Sequence, residues 1–177
     1  DVPITTAGDT GIIKTGAGTM QLTKANSYSG PTTIGGGTLD FSGSGSLGSG
    51  NYAGAITNNA ILSFSSSANQ TLSGIISGNG ALTQSGASTL TLTGVNTYTG
   101  ATTISAGTLK AGSATAMGSA STLNATGGAF DLNGFNATVA AVGAGNAAGT
   151  ITNSASGSGT NTLTITNYNA NLASLIT

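Results

Sequence analysis

The sequence predicts an all-β protein in which one chain winds into a parallel β-helix, a β-solenoid with three short strands per coil. Three observations support this prediction: apolar residues at two-residue spacing, a long internal repeat, and a composition rich in small residues. In residues 89–93, Leu90 and Leu92 point to one side of a strand while the threonines between them point to the other. Met20 and Leu22 alternate in the same way, whereas no segment combines helical spacing with helix caps.

The small residues favour a narrow core with tight corners. The chain of 177 residues contains 30 glycines but only 2 prolines, and glycine supplies the positive φ angles that turns require. The length fits one domain, or one piece of an elongated one, and we expect residues 1–177 to form a single β-helical segment. A globular sandwich would also contain short strands, but few apolar residues per strand and a long period favour a thin, wound core.

The repeat is the strongest organisational signal. Residues 16–41 match residues 86–111 at an offset of 70, and the match extends to give copies near 16–49 and 86–119. A partial third copy begins near residue 159, where residues 162–166 match residues 89–93. With about 20 to 25 residues per coil, the offset corresponds to about three coils. Equivalent residues of the copies are therefore expected to stack on one another.

The composition disfavours most catalytic and nucleic-acid-binding functions. Glu, Arg, His and Cys are absent, so most general acids and bases and thiolate metal ligands are missing. We therefore expect no enzyme, cofactor or metal site. Three lysines cannot neutralise a row of phosphates, and no apolar run approaches the roughly 20 residues of a membrane helix. The charged side chains are Asp1, Asp9, Asp40, Asp131, Lys14, Lys24 and Lys110.

Three of the carboxylates are candidates for a catalytic set, since β-helices host polysaccharide-cleaving enzymes. Such chemistry needs clustered carboxylates, usually with a basic residue nearby. Asp40 aligns with Lys110 in the other copy, which indicates an outward position that merely tolerates charge. Asp9, Asp40 and Asp131 are therefore expected to be solvated surface residues.

The repeated Asn-x-Tyr motif allows two interpretations. Tyr28 and Tyr98 could stack on a sugar while Asn26 and Asn96 read its hydroxyl groups. Alternatively, the motif is a structural corner, with an asparagine ladder and a tyrosine that covers the edge of the core. Because the whole motif is repeated, we favour the structural corner.

Threonine rows such as those in residues 89–93 and 162–166 are similar to the rows of ice-binding β-solenoids. They are expected to recur only once per copy of the repeat rather than on every coil. Such an array would be broken, so ice binding is disfavoured.

The repeated motif resembles the passenger-associated strand repeat of bacterial autotransporters. The positions that carry the resemblance are Asn26, Tyr28, Gly30, Thr32, Ile34, Gly37 and Leu39, and Asn96, Tyr98, Gly100, Thr102, Ile104, Gly107 and Leu109. The resemblance implies a right-handed parallel β-helix, secreted to the extracellular side or outer cell surface of a Gram-negative bacterium. In that family the repeat is a stalk element associated with folding and export, and its carriers are commonly adhesins or aggregation factors.

The leading hypothesis is therefore a structural and interaction protein: a β-helical stalk segment of a surface adhesin or extracellular fibre. Residues 2–4 and 172–176 show no polar capping coil, which fits either an excised fragment or a module that self-associates end to end through open strand edges. Cell-surface or glycan receptors are the other expected partners, with nucleic acid and a membrane-spanning segment excluded. The alternative function is a glycan-binding module, followed by a polysaccharide-cleaving enzyme or an ice-binding protein.

Overall fold

Short strands separated by turns follow one another along the whole described chain. The computed structural model describes residues 10–143, 148–156 and 160–167. Every strand pairing within these residues is parallel. No helix in the same residues is long and apolar enough to cross a membrane. The prediction of an all-β parallel solenoid is confirmed.

Three stacks of strands form the three faces of the solenoid. The first face contains β1 (Ile12–Lys14), β3 (Thr32–Ile34), β6 (Ile56–Asn58) and β9 (Ile76–Ser77). The second face contains β2 (Thr19–Leu22), β4 (Thr38–Phe41), β7 (Ile61–Phe64), β10 (Ala81–Gln84), β12 (Thr102–Ile104), β14 (Thr122–Ala125) and β17 (Ala141–Val142). The third face contains β5 (Asn51–Tyr52), β8 (Gln70–Leu72), β11 (Thr89–Leu92), β13 (Thr108–Ala111), β15 (Ala129–Asp131) and β18 (Thr150–Thr152).

The chain winds through the faces in the order first, second and third and completes about seven coils. Three coils have strands on only two faces, since no described strand lies on the third face between β2 and β3, or on the first face between β11 and β12 or between β13 and β14. A fourth small sheet pairs β16 (Ala137–Val139) with β19 (Leu163–Ile165) and takes the place of the first face in this order. A 3₁₀ helix, Gly48–Gly50, leads into β5. The predicted uncapped ends, residues 2–4 and 172–176, lie outside the described residues, as do Asp1, Asp9 and Gly159.

The core is a thin column of inward side chains stacked coil on coil. On the second face, Leu39, Leu62 and Leu82 are register partners and all are almost fully buried. In the adjacent inward row, the rings of Phe41 and Phe64 stack with their centroids 5.1 Å apart. Because strands of two to four residues bury only one or two side chains each, coil-to-coil stacking supplies most of the apolar contact.

The two copies of the repeat do not lie above one another. Strand β2 of the first copy lies on the second face, but its equivalent β11 lies on the third face. Likewise β3 is on the first face and its equivalent β12 is on the second. The prediction that equivalent residues stack is therefore wrong. From β2 the chain returns to the second face at β4, β7 and β10 before it reaches β11, so the repeat offset spans three coils and one additional face.

The third segment with this sequence pattern continues the same rotation. Residues 162–166, predicted to open a third copy, contain β19, which takes the first-face position. The segments equivalent to residues 19–22 thus lie on the second face, on the third face and at the first-face position in succession. Each step of the sequence repeat rotates its residues around the rod by one face.

Outward threonines do stack on successive coils. Thr71 pairs with Thr91 on the third face, Thr83 with Thr103 on the second, and Thr33 with Thr57 on the first. The prediction that these rows recur only once per copy of the repeat is therefore wrong. On the third face the threonine row is interrupted because Lys110 and Asp131 are the next partners after Thr91.

A column of glycines lies at the corner between the third and first faces. A Cβ atom added to Gly74 would meet the carbonyl oxygen of Gly54, and one added to Gly94 would meet that of Gly74. The corner therefore brings the backbones of successive coils closer than any side chain allows. By contrast, a Cβ atom on Gly18 would have nothing within 4 Å.

We expect Gly94→Ala to lower the free energy of unfolding by about 2 kcal/mol, because the neighbouring backbone must shift to admit the methyl group. Gly18→Ala is the matched control and should change stability by less than about 0.5 kcal/mol. Chemical denaturation followed by circular dichroism measures both variants. Equal midpoints for the two variants would contradict the close approach at this corner.

Candidate functional site

The tyrosines of the repeated motif lie inside the solenoid. Tyr28 and Tyr98 are both 0% exposed, so neither ring presents a face to a sugar. The Tyr98 hydroxyl lies 2.8 Å from the Thr102 hydroxyl, and the equivalent Tyr28 and Thr32 hydroxyls are 3.2 Å apart. The inward threonine four residues later thus lies within hydrogen-bonding distance of the buried phenol in both copies.

In the first copy a second tyrosine extends this buried network. The Tyr52 hydroxyl lies 2.8 Å from the Thr32 hydroxyl and donates a hydrogen bond to the Gly30 carbonyl oxygen. The rings of Tyr28 and Tyr52 meet edge to face, with their centroids 5.6 Å apart. Burial raises the pKa of both phenols, although the bond with Thr32 opposes this shift.

The asparagines of the motif bind backbone groups of neighbouring coils. The Asn96 side-chain amide donates to the Ala116 carbonyl at 2.7 Å, and its oxygen accepts from the Ile76 N–H at 2.8 Å. Asn96 therefore connects three successive coils. Asn26 donates in the same direction, to the Ser46 carbonyl at 3.2 Å. These bonds join each asparagine to the backbone of a neighbouring coil, in the corner where the sequence predicted an asparagine ladder.

Two interior polar residues were missed by the sequence analysis. Gln84 is 0% exposed and donates at 3.0 Å to the carbonyl oxygens of both Gly86 and Ser88. Its equivalent in the first copy, Lys14, donates to the carbonyl oxygens of Gly16 and Gly36. Each side chain donates hydrogen bonds to carbonyl groups of a turn, which would otherwise lack a partner inside the core. Extending the repeat alignment a few positions towards the N-terminus would have paired these two polar residues at an inward strand position.

The remaining motif positions have matching local geometry in both copies. Gly37 and Gly107 have φ angles of +66° and +62°, a conformation that other residues rarely adopt. The four apolar motif residues are 0% exposed, namely Ile34, Leu39, Ile104 and Leu109. Gly100 lies against the Gly80 carbonyl, and Gly30 accepts the Tyr52 hydrogen bond. The motif residues therefore face the core or form its corners.

The candidate carboxylates do not assemble into a pair. Asp40 lies on β4 of the second face and Asp131 on β15 of the third, while Asp9 lies outside the described residues. Both described carboxylates are buried, so their expected solvation is wrong. Ser65 donates to Asp40, whereas Ser154 donates to Asp131, and each serine comes from the following coil. Within the described residues no three His, Cys, Asp or Glu side chains are placed to hold a metal ion.

Asp131 is held in its charged form by its neighbours. Burial acts to raise the pKa of its carboxyl, but hydrogen bonds from Ser154 and the Asn133 backbone, together with the Lys110 charge, outweigh it and leave the pKa lowered. The Lys110 ammonium lies 3.7 Å from the carboxylate and is partly solvated, so this pair adds little stability by itself.

Two segments of the chain match a family model described as passenger-associated-transport-repeat. The matches cover residues 12–41 and 82–111, together about a third of the chain. Both matched segments are similar to this repeat. The resemblance to the repeat of autotransporter passengers is thereby confirmed. Each matched segment begins at the strand that contains Lys14 or Gln84 and ends with the strand that contains Leu39 or Leu109.

No curated protein and no solved structure matched the chain. The passenger-associated transport repeats and the solenoid fit the stalk of an autotransporter passenger. They also suggest a structural role for the chain. In this solenoid the motif residues of each repeat contribute to the core and its corners rather than to an open cleft.

The tyrosine–threonine contact of the second repeat allows a double-mutant test. Tyr98→Phe and Thr102→Val should each lower the free energy of unfolding by about 1 to 2 kcal/mol, because each removes the hydrogen bond between these two buried hydroxyl groups. The double variant should cost at least about 1 kcal/mol less than the sum of the two. Thr103→Val, on the outward side of the same strand, is the control. Additive losses in denaturation experiments would refute a bond between the two hydroxyls.

Stability should fall at alkaline pH because burial raises the pKa of Tyr98 from the usual 10 to about 12, despite opposing hydrogen bonds. Between these pH values the folded state retains a proton that the unfolded state releases, so the free energy of unfolding decreases as pH rises. Denaturation midpoints measured from pH 9 to 12 should therefore decline, and less steeply in Tyr98→Phe. Identical slopes for the two proteins would contradict this assignment.

Proposed function

We propose that this chain is a β-helical stalk segment of a secreted or surface-exposed adhesin or extracellular fibre of a Gram-negative bacterium. The observation that carries the proposal is the direction of the side chains that the two repeats share. In both passenger-associated transport repeats the tyrosine, threonine and apolar motif residues point inward. The repeats thus maintain a rod, while some positions on the opposite side of the strands differ between copies, as Asp40 and Lys110 do.

The dimensions of the solenoid suit a spacer. About seven coils, at about 4.8 Å each, give a rod roughly 35 Å long. Each coil pairs its backbone with the next, so length is added without enlarging the core. Such a segment holds a distal part of a protein away from its anchor, with cell-surface receptors as the expected partners of the assembled adhesin.

The glycan-binding alternative loses the residues on which it depended. Tyr28 and Tyr98 are buried, and Asn96 uses its amide for bonds to backbone. The carboxylates considered for polysaccharide cleavage lie on different faces, and serine hydroxyls already occupy them. The stalk therefore has the stronger support of the candidate functions.

A display experiment tests the proposal. The chain is placed between an N-terminal epitope and the transport unit of an autotransporter in a Gram-negative host. Antibody labelling of intact cells should detect the epitope for the wild-type chain and for Gly18→Ala. Gly94→Ala, which strains the corner, should yield chains that an added broad-specificity protease degrades faster. An epitope that is labelled only after permeabilisation would overturn the proposal.

A further inference from the structure

Exposed large apolar side chains are concentrated on one face of the rod. Among the described residues there are four, and three of them lie on the first face or at the corner that leads into it: Ile13 in β1 is 77% exposed, Ile75 just before β9 is 41% exposed, and Val95 after the corner residue Gly94 is 64% exposed. The fourth, Ile61, is 41% exposed and lies on the second face. An apolar cluster of this kind on a rod with so few charges marks a candidate contact surface.

Backbone hydrogen bonds align the exposed residues at this edge from coil to coil as far as Ile75, and Val95 follows on the next coil. The N–H groups of Ile12, Thr32 and Ile56 donate to the carbonyl oxygens of the residues that precede the next coil's strand. These acceptors are Pro31, Ala55 and Ile75. The bond from the Ile76 N–H to the Asn96 side chain places Val95 on the following coil. The apolar column is thus Pro31, Ala55, Ile75 and Val95, all exposed, with Ile13 beside its start.

A hydroxyl column lies next to it on the same face. Strand register places Ile13, Thr33, Thr57 and Ser77 in one outward row. Neither column contains a charged side chain. Lys14 lies on the same face but points into the core. The edge of the first face therefore offers an uncharged strip of methyl and hydroxyl groups that continues over five successive coils.

We propose that this strip is a lateral docking surface for a second copy of the chain. A partner rich in charge would lose hydration there without gaining a counter-charge. A second copy instead offers the same uncharged strip at the same coil spacing, so methyl groups meet methyl groups without unpaired charges. The net charge of −1 leaves little repulsion between copies.

The area of the strip sets the strength of this contact. Five coils at about 4.8 Å, each presenting about four extended residues with a length of about 13 Å, give roughly 300 Å² per copy. A stable pair buries about 800 Å² per partner, so two isolated chains bind only weakly. Chains held densely on one surface reinforce each other through multivalency. The biological setting of this inference, stalks crowded on a cell, rests on the proposed function.

Dense display on beads tests the inference without any cell. Streptavidin beads are coated with the chain through a C-terminal biotin, and their clustering is followed by light scattering. Wild-type beads should cluster, and Ile75→Lys/Val95→Lys should reduce clustering at least tenfold by placing like charges in the interface. Ile61→Lys/Thr103→Lys carries the same added charge on the second face and should cluster like wild type. Circular dichroism verifies the fold of each variant.

The other outcomes are equally decisive. Failure of wild-type beads to cluster overturns the inference while leaving the display experiment, and hence the stalk, untouched. Equal clustering of both lysine variants also overturns it. Electron microscopy then distinguishes end-to-end assembly, which gives fibres of one rod width, from side-by-side pairs.

Discussion

Parallel hydrogen bonding between successive coils is the constraint on which this structure depends. Every described strand is only two to four residues long, so no strand is stable alone and each is held by the coils above and below. Fixed pairing at about 4.8 Å favours stacked side chains of similar size. Leucine on leucine, phenylalanine on phenylalanine and glycine on glycine occur at successive positions, although Leu92 also stacks on the smaller Ala111.

The repeat makes the same contacts in both copies, although each copy occupies a different face of the solenoid. Tyr28 and Tyr98 each contact the threonine four residues later, although the two copies occupy different faces. Asn26 and Asn96 likewise reach the backbone 20 residues later. Three equivalent faces are possible because each is a flat stack of parallel strands. The same sequence therefore builds the same corner wherever it arrives on the rod.

Alternation of apolar residues predicts the strands, because inward residues such as Leu90 and Leu92 follow period two. The long repeat and the small residues were needed as well to predict that these strands wind into parallel coils. To predict which faces the two copies occupy, the number of residues per coil must be known to within about two residues. The sequence alone does not provide that number. The burial of Asp40 and Asp131 depends on serines 25 and 23 residues further along the chain. Only the wound structure brings those residues together.

The long sequence repeat and the shorter period of the coil therefore determine different parts of the structure. The long sequence repeat governs the interior, where it places its buried tyrosines on a new face at each step. It cannot build a straight surface feature, since Val95 and its repeat equivalent Ala25 lie on different faces. The shorter period of the coil can, because Ala55, Ile75 and Val95 follow one another from coil to coil. A contact surface along one edge must therefore be selected coil by coil, independently of the repeat that maintains the rod.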